Sequence, residues 1–228
     1  MLFKFTVIQN TVMIKKNITV PKTARYFVQG KAGEQVKTVW FVCHGYGQAA
    51  DYFLKNFKSL ENEHSLIVAP EGLHRFYWEK FSGRVVASWM TKEDREDDIN
   101  DYVLYLDKVY EEVMQGLPAD VNITALGFSQ GTSTVCRWIA NRKSIFHNLI
   151  LWAGSLPPDV DLSAAPFPQF KIQYVAGDMD VFMNEEQIIE VEQLLKSKNL
   201  DFELIRFSGK HELNEPVLLK LAKKTSVF

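Results

Sequence analysis

At 228 residues, with 46% hydrophobic and 24% charged residues, the chain has ordinary globular composition, which excludes a disordered polymer. Its length suits one hydrophobic core, read as a single domain over residues 1–228. A formal net charge of −2, with lysines scattered among acids, excludes the basic footprint that nucleic-acid binding needs. Met1 to Thr6 alternates apolar and polar residues instead of forming a signal peptide's apolar run, and no later run could span a bilayer. A cytoplasmic protein without integral membrane contact is expected.

In chain order, alternating residues from Phe3 to Val28 read as antiparallel strands. The pattern then changes. Thr38 to Cys43 is an uninterrupted apolar run, as expected of a parallel strand covered on both faces. Similar runs follow at Leu66–Ala69, Val121–Phe128, Leu149–Ala153, Ile172–Ala176 and Phe202–Phe207. Helical stretches near Ala50–Leu60, Lys92–Met114, Thr132–Asn141, Glu185–Leu195 and Pro216–Lys224 separate them. This alternation predicts an α/β architecture, a mostly parallel, doubly wound sheet flanked by helices with antiparallel strands at the N-terminus.

Residues 71–91 break the rhythm. They carry Phe76, Tyr77, Trp78, Phe81 and Trp89 among charged residues without a clean period, and read as a long aromatic loop of the kind that serves as lid or pocket wall. Exposed aromatics there would equally suit a homodimer face. Cys43 and Cys136 lack paired spacing and read as reduced core residues. The acids between Lys92 and Asp98 suit a helix's first turn better than a metal site, and the glycines form no nucleotide fingerprint, so neither metal nor cofactor is expected.

The chemistry concentrates at Gly127-Phe128-Ser129-Gln130-Gly131, which lies between a strand and a helix. G-x-S-x-G in that context is a nucleophile elbow: flanking glycines permit a turn tight enough to expose the central serine. A serine hydroxyl needs a general base, and the base an orienting carboxylate. In the α/β-hydrolase fold these follow as serine, acid, histidine. That order excludes His44, His64 and His74. His147 opens the next strand, with no acid-bearing strand in between, whereas His211 follows the last strand at the sheet's carboxyl end. The acid should leave the preceding strand, where Gly177-Asp178-Met179-Asp180 offers two aspartates. Asp180 is preferred because the turn must reverse before presenting its carboxylate; Asp178 remains the alternative. The oxyanion formed on attack requires backbone N–H donors, assigned to Tyr46 in His44-Gly45-Tyr46-Gly47 and to Gln130.

These residues resemble the phospholipase/carboxylesterase family, which includes acyl-protein thioesterases. Ser88-Trp89-Met90 is similar to that family's Ser-Trp-aromatic segment, so the resemblance spans roughly residues 38–220. It implies Ser129, Asp180 and His211 as triad, Tyr46 and Gln130 as oxyanion donors, and no cofactor. The chain departs from the family pattern at Val181-Phe182-Met183-Asn184 and at Lys210, where the family has a glycine. Both departures bear on the pocket more than on the triad.

The expected function is hydrolysis of a small-molecule carboxylic ester or thioester through an acyl-serine intermediate, with Phe76, Tyr77, Trp78 and Trp89 contacting substrate. Amidase, peptidase or lyase chemistry on the same residues is one alternative. A non-catalytic binding protein on a hydrolase scaffold is the other.

Overall fold

The computed structural model describes residues 13–141 and 144–225. The apolar runs become strands β2 (Thr38–Cys43), β3 (Ser65–Pro70), β6 (Asn122–Phe128), β7 (Asn148–Trp152), β8 (Ile172–Gly177) and β9 (Phe202–Phe207). With β1 (Tyr26–Gln29) they form one seven-stranded sheet in the order β1-β3-β2-β6-β7-β8-β9. All neighbours pair in parallel except β1, which runs antiparallel to β3 along the edge. Every residue of β2, β3 and β8 is buried, because helices covering both faces leave no solvent side for alternation to mark.

The helices are α1 (Ala50–Leu54, continued as a 3-10 turn to Leu60), α2 (Arg95–Met114), α3 (Gln130–Asn141), α4 (Glu185–Ser197) and α5 (Glu215–Thr225). α2 starts later than its charge pattern predicts, because Asp94 has a left-handed backbone (φ +48°) that no helix can include. α4 begins with a reciprocal capping box between Asn184 and Gln187. No helix among the described residues is long and apolar enough to cross a membrane. Cys43 and Cys136 are free and buried. Burial pushes the Cys136 thiol up to about 12 and that of Cys43 higher still, so neither is a nucleophile.

The antiparallel strand expected at the N-terminus is present as β1, paired with β3. Residues 1–12 lie outside the described residues, and 13–25 have no regular structure. The intervening chain is held by side chains instead, with Lys15 on Asp94, Asn17 on Asp97 at 2.5 Å and Lys22 on the Leu73 carbonyl.

One expectation is revised: residues 71–91 form not a loop but an antiparallel hairpin, β4 (His74–Glu79) with β5 (Ser82–Ser88). Its alternation was hidden because the register shifts between Tyr77 and Glu79 and the distal ribbon is exposed on both faces, so no apolar side exists there for period 2 to reveal.

Candidate active site

β6 ends one residue before Ser129, and α3 begins one residue after it. Ser129 has φ +54°, a left-handed conformation that costs a non-glycine residue about 1–3 kcal/mol and that the surroundings must impose. They do so by crowding. A Cβ on Gly127 would lie 2.3 Å from the Gly131 carbonyl oxygen, and one on Gly131 would lie 2.1 Å from that of Cys43. Only glycines allow α3 to start this close to β2 and β6. The Ser129 N–H donates to the Trp152 carbonyl at 2.8 Å, which ties the elbow to β7.

The loops after β8 and β9 meet beside it. His211 Nδ1 lies 2.7 Å from Asp180 Oδ2. The other Asp180 oxygen accepts the backbone N–H groups of Phe182 (2.8 Å) and Met183 (3.0 Å). The Asp180 side chain is fully buried, and that of His211 is 18% exposed. With Nδ1–H donating to the carboxylate, Nε2 keeps its lone pair for a proton. The imidazole is held between Phe128, 4.8 Å away between ring centres, and Phe182, at 5.0 Å. Of the two candidate aspartates, Asp180 is therefore the one that meets His211.

Ser129, Gln130 and His211 line one cavity of about 210 Å³, shared with Ser155, Phe182 and Met183. A second, larger cavity of about 530 Å³ lies between residues 19–26 and α2, lined by Lys22, Tyr105 and Glu112 among others. It contains no serine or histidine, so its size does not make it a site for nucleophilic chemistry.

The loop after β2 closes against the elbow. A Cβ on Gly45 would come within 3.1 Å of the Ser129 Cβ, so the backbone of this loop passes directly beside the hydroxyl-bearing carbon. The Gly45 N–H donates to Gln48 Oε1 at 2.7 Å. Among the described residues, the backbone N–H groups of Tyr46 and Gln130 have no acceptor, as oxyanion donors require. His44 beneath them is buried. Its Nε2 accepts from the Gly72 N–H at 3.0 Å and its Nδ1–H donates to the Gly45 carbonyl at 2.7 Å. Burial pushes this imidazole down to about 4, so it stays neutral. His147 Nδ1 is occupied at the opposite end of the sheet, where it accepts from the Ile123 N–H.

The four aromatics expected to touch substrate are placed differently. None of them lines the cavity at Ser129. Phe76 stacks on Tyr46 with 5.5 Å between ring centres, and Trp78 lies over Gly47, where a Cβ would be 2.2 Å from its ring. Tyr77 is half exposed. Trp89 is a core residue with no exposed surface. Its indole packs on His44 and Tyr102, and its Nε1–H donates to the His44 carbonyl at 2.8 Å. An indole with a satisfied N–H and no accessible face cannot bind substrate; the aromatic count of the segment concealed this.

Sequence reasoning missed the side-chain roles of Ser88 and Gln130, which meet across 42 residues, and of Gln48, which accepts from Gly45 within its own turn. Phe182 and Met183 line the cavity; they lie in the segment whose departure from the family pattern bears on the pocket, but were not among the expected substrate contacts.

The phospholipase/carboxylesterase family model matches residues 24–227. No curated protein matches the sequence. Similar solved structures include acyl-protein thioesterase 2 of Zea mays (14% identity, TM-score 0.67, 89% of this chain and 97% of that one covered). The carboxylesterase of Bacillus cereus is 15% identical, with TM-score 0.67 and coverage of 89% and 93%. That of Mesorhizobium loti is 16% identical, with TM-score 0.66 and coverage of 84% and 89%. At such identities these likenesses speak for the shared α/β-hydrolase fold.

Proposed function

Because the chain belongs to the phospholipase/carboxylesterase family, a family of hydrolases, we propose that it cleaves carboxylic esters or thioesters through an acyl-serine intermediate on Ser129. The observation that carries this reading is the 2.7 Å contact between His211 Nδ1 and the buried Asp180 behind the cavity that Ser129 and His211 share. An imidazole oriented in this way, beside a serine held on a strained elbow, is the arrangement that makes a hydroxyl nucleophilic near neutral pH.

In the proposed cycle His211 Nε2 takes the Ser129 proton as Oγ attacks the acyl carbon. The negative charge that collects on the former carbonyl oxygen is met by the Tyr46 and Gln130 N–H groups. The imidazolium, stabilised by Asp180, returns the proton to the leaving alcohol or thiol. Water activated by the same imidazole then releases the acid. Every proton moves through His211, so no cofactor enters the cycle. One of the similar structures is a thioesterase and two are carboxylesterases, and both leaving groups fit the same steps.

The test is hydrolysis of p-nitrophenyl esters of increasing acyl length by wild type and Ser129→Ala, with fluorophosphonate labelling of both. The expected result is an active, labelled wild type beside a mutant that is neither labelled nor more than about 10⁻³ as active. A labelled or fully active Ser129→Ala would assign the nucleophile elsewhere.

A further inference from the structure

The two oxyanion donors of the proposed reaction sit on separate segments, the loop after β2 and the first turn of α3. Stabilising one developing charge requires that both point at the same spot, so something must set the distance between them.

That frame is four residues at the end of the hairpin. Ala87 exchanges two backbone hydrogen bonds with the loop after β2: Gly47 N–H to the Ala87 carbonyl, and Ala87 N–H to the Gln48 carbonyl, both at 2.9 Å. The next three residues hold Gln130 by its side chain. The Trp89 N–H donates to Gln130 Oε1 at 3.1 Å. Gln130 Nε2–H donates to Ser88 Oγ at 3.2 Å and to the Met90 carbonyl at 3.0 Å. Ser88 Oγ–H in turn donates to the Met90 carbonyl at 2.9 Å.

With these assignments both amide hydrogens, the amide oxygen and the hydroxyl hydrogen are each used once, which fixes the orientation of the Gln130 amide. Ala87, Ser88 and Trp89 have almost no exposed surface and Met90 and Gln130 are half-buried, so the protein side of these bonds is shielded from water, which strengthens them relative to exposed ones.

We infer that the Gln130 side chain and Ser88 are positioning residues, which hold the Tyr46 and Gln130 N–H groups at the separation the oxyanion needs. The inference rests on the serine-hydrolase reading and adds to it. Gln130 contributes twice, through a backbone donor that meets the charge and through an amide that fixes where this donor stands relative to its counterpart. Segment 87–90 thereby acts on the reaction without touching substrate.

The experiment compares wild type, Gln130→Met, Gln130→Glu and Ser88→Ala. Methionine keeps the length and the backbone N–H but removes the three side-chain hydrogen bonds. Glutamate keeps acceptors for the Trp89 N–H. Rates on p-nitrophenyl acetate are expressed per site titrated with fluorophosphonate, so that misfolded protein does not count. The affinity of a trifluoromethyl ketone, whose hemiketal carries the oxyanion, is measured alongside.

The expected result is a kcat lowered about 10- to 100-fold in Gln130→Met with KM within about threefold, a parallel loss of trifluoromethyl ketone affinity, and partial recovery in Gln130→Glu. A purely structural role would lower the fraction of titratable sites and leave kcat per site unchanged; that result overturns the inference. Should Gln130→Met not fold, the smaller truncation in Ser88→Ala decides by the same criterion. Wild type that fails to label would overturn the serine-hydrolase reading and this role with it. Labelled wild type with unimpaired variants would overturn this role alone.

Discussion

Asp178 Oδ1 accepts the backbone N–H of Gly209 at 3.0 Å, joining the loops that carry Asp180 and His211 two residues ahead of each of those side chains. Two backbone bonds reinforce the seam, Asp178 N–H to the Phe207 carbonyl and Met179 N–H to the Gly209 carbonyl. The two aspartates, separated by Met179, thus do different things: one holds the loops together, the other meets the imidazole.

This division gives opposite expectations for two substitutions of the same kind. Asp178→Asn is expected to lower stability by about 1–2 kcal/mol, through loss of a charge-assisted bond, and kcat by no more than about tenfold. Asp180→Asn should retain the fold and lose on the order of 10³–10⁴ in kcat, because an amide no longer holds the Nδ1–H tautomer. Urea denaturation and titrated steady-state kinetics on both proteins check the pair. Equal losses of kcat would remove the distinction.

His44 provides a pH dependence whose sign is determined. In the folded protein burial pushes its imidazole down to about 4, against about 6.5 in an unfolded chain. Between these values the unfolded state takes up a proton that the folded state refuses, so stability falls as pH falls through that window. The full effect of one such group is about 3 kcal/mol. The stability difference between wild type and His44→Gln should shrink by roughly that amount between pH 7 and pH 4 in denaturation curves. The His44 ring protons should also show no titration above about pH 5 by NMR. A difference independent of pH would mean that the imidazole is not neutral for the reason given.

Glycines that look alike in sequence should respond very differently to alanine. At Gly131 the new Cβ would meet the Cys43 carbonyl oxygen at 2.1 Å and that of His44 at 2.9 Å, both backbone atoms that cannot turn aside. Gly131→Ala should cost more than about 3 kcal/mol or yield no folded protein. Gly116 has φ +80° but open space around it, so alanine there carries only backbone strain, about 1 kcal/mol. Denaturation midpoints of the two variants settle the comparison.

How far the sequence could be read depended on whether the determining contacts were local. The buried strands were legible because both faces of β2, β3 and β8 are covered, leaving continuous apolar runs between turn residues. The tight turn at Ser129 was legible because its steric demand falls on Gly127 and Gly131, close neighbours in the chain. The hairpin was not, since its distal residues have no buried side to impose a pattern. Trp89 shows the same limit from the other direction: nothing in its neighbours distinguishes a core indole from a pocket wall, and His44 and Tyr102 decide it from elsewhere in the chain. The hold on Gln130 by Ser88, across 42 residues, belongs to tertiary structure alone.

The strand order has one further consequence. β6, which leads into Ser129, is the middle strand of seven, with β2 on one flank and β7, β8 and β9 on the other. In the proposed reaction the β2 flank and its hairpin answer to the negative charge, and the β8–β9 flank answers to the proton. A substitution on the first flank can weaken the reaction at every pH without changing the shape of its pH profile, whereas one on the second can move the profile itself. Because the two tasks meet only at Ser129, substitutions on either flank can retune one of them while the other remains as it was.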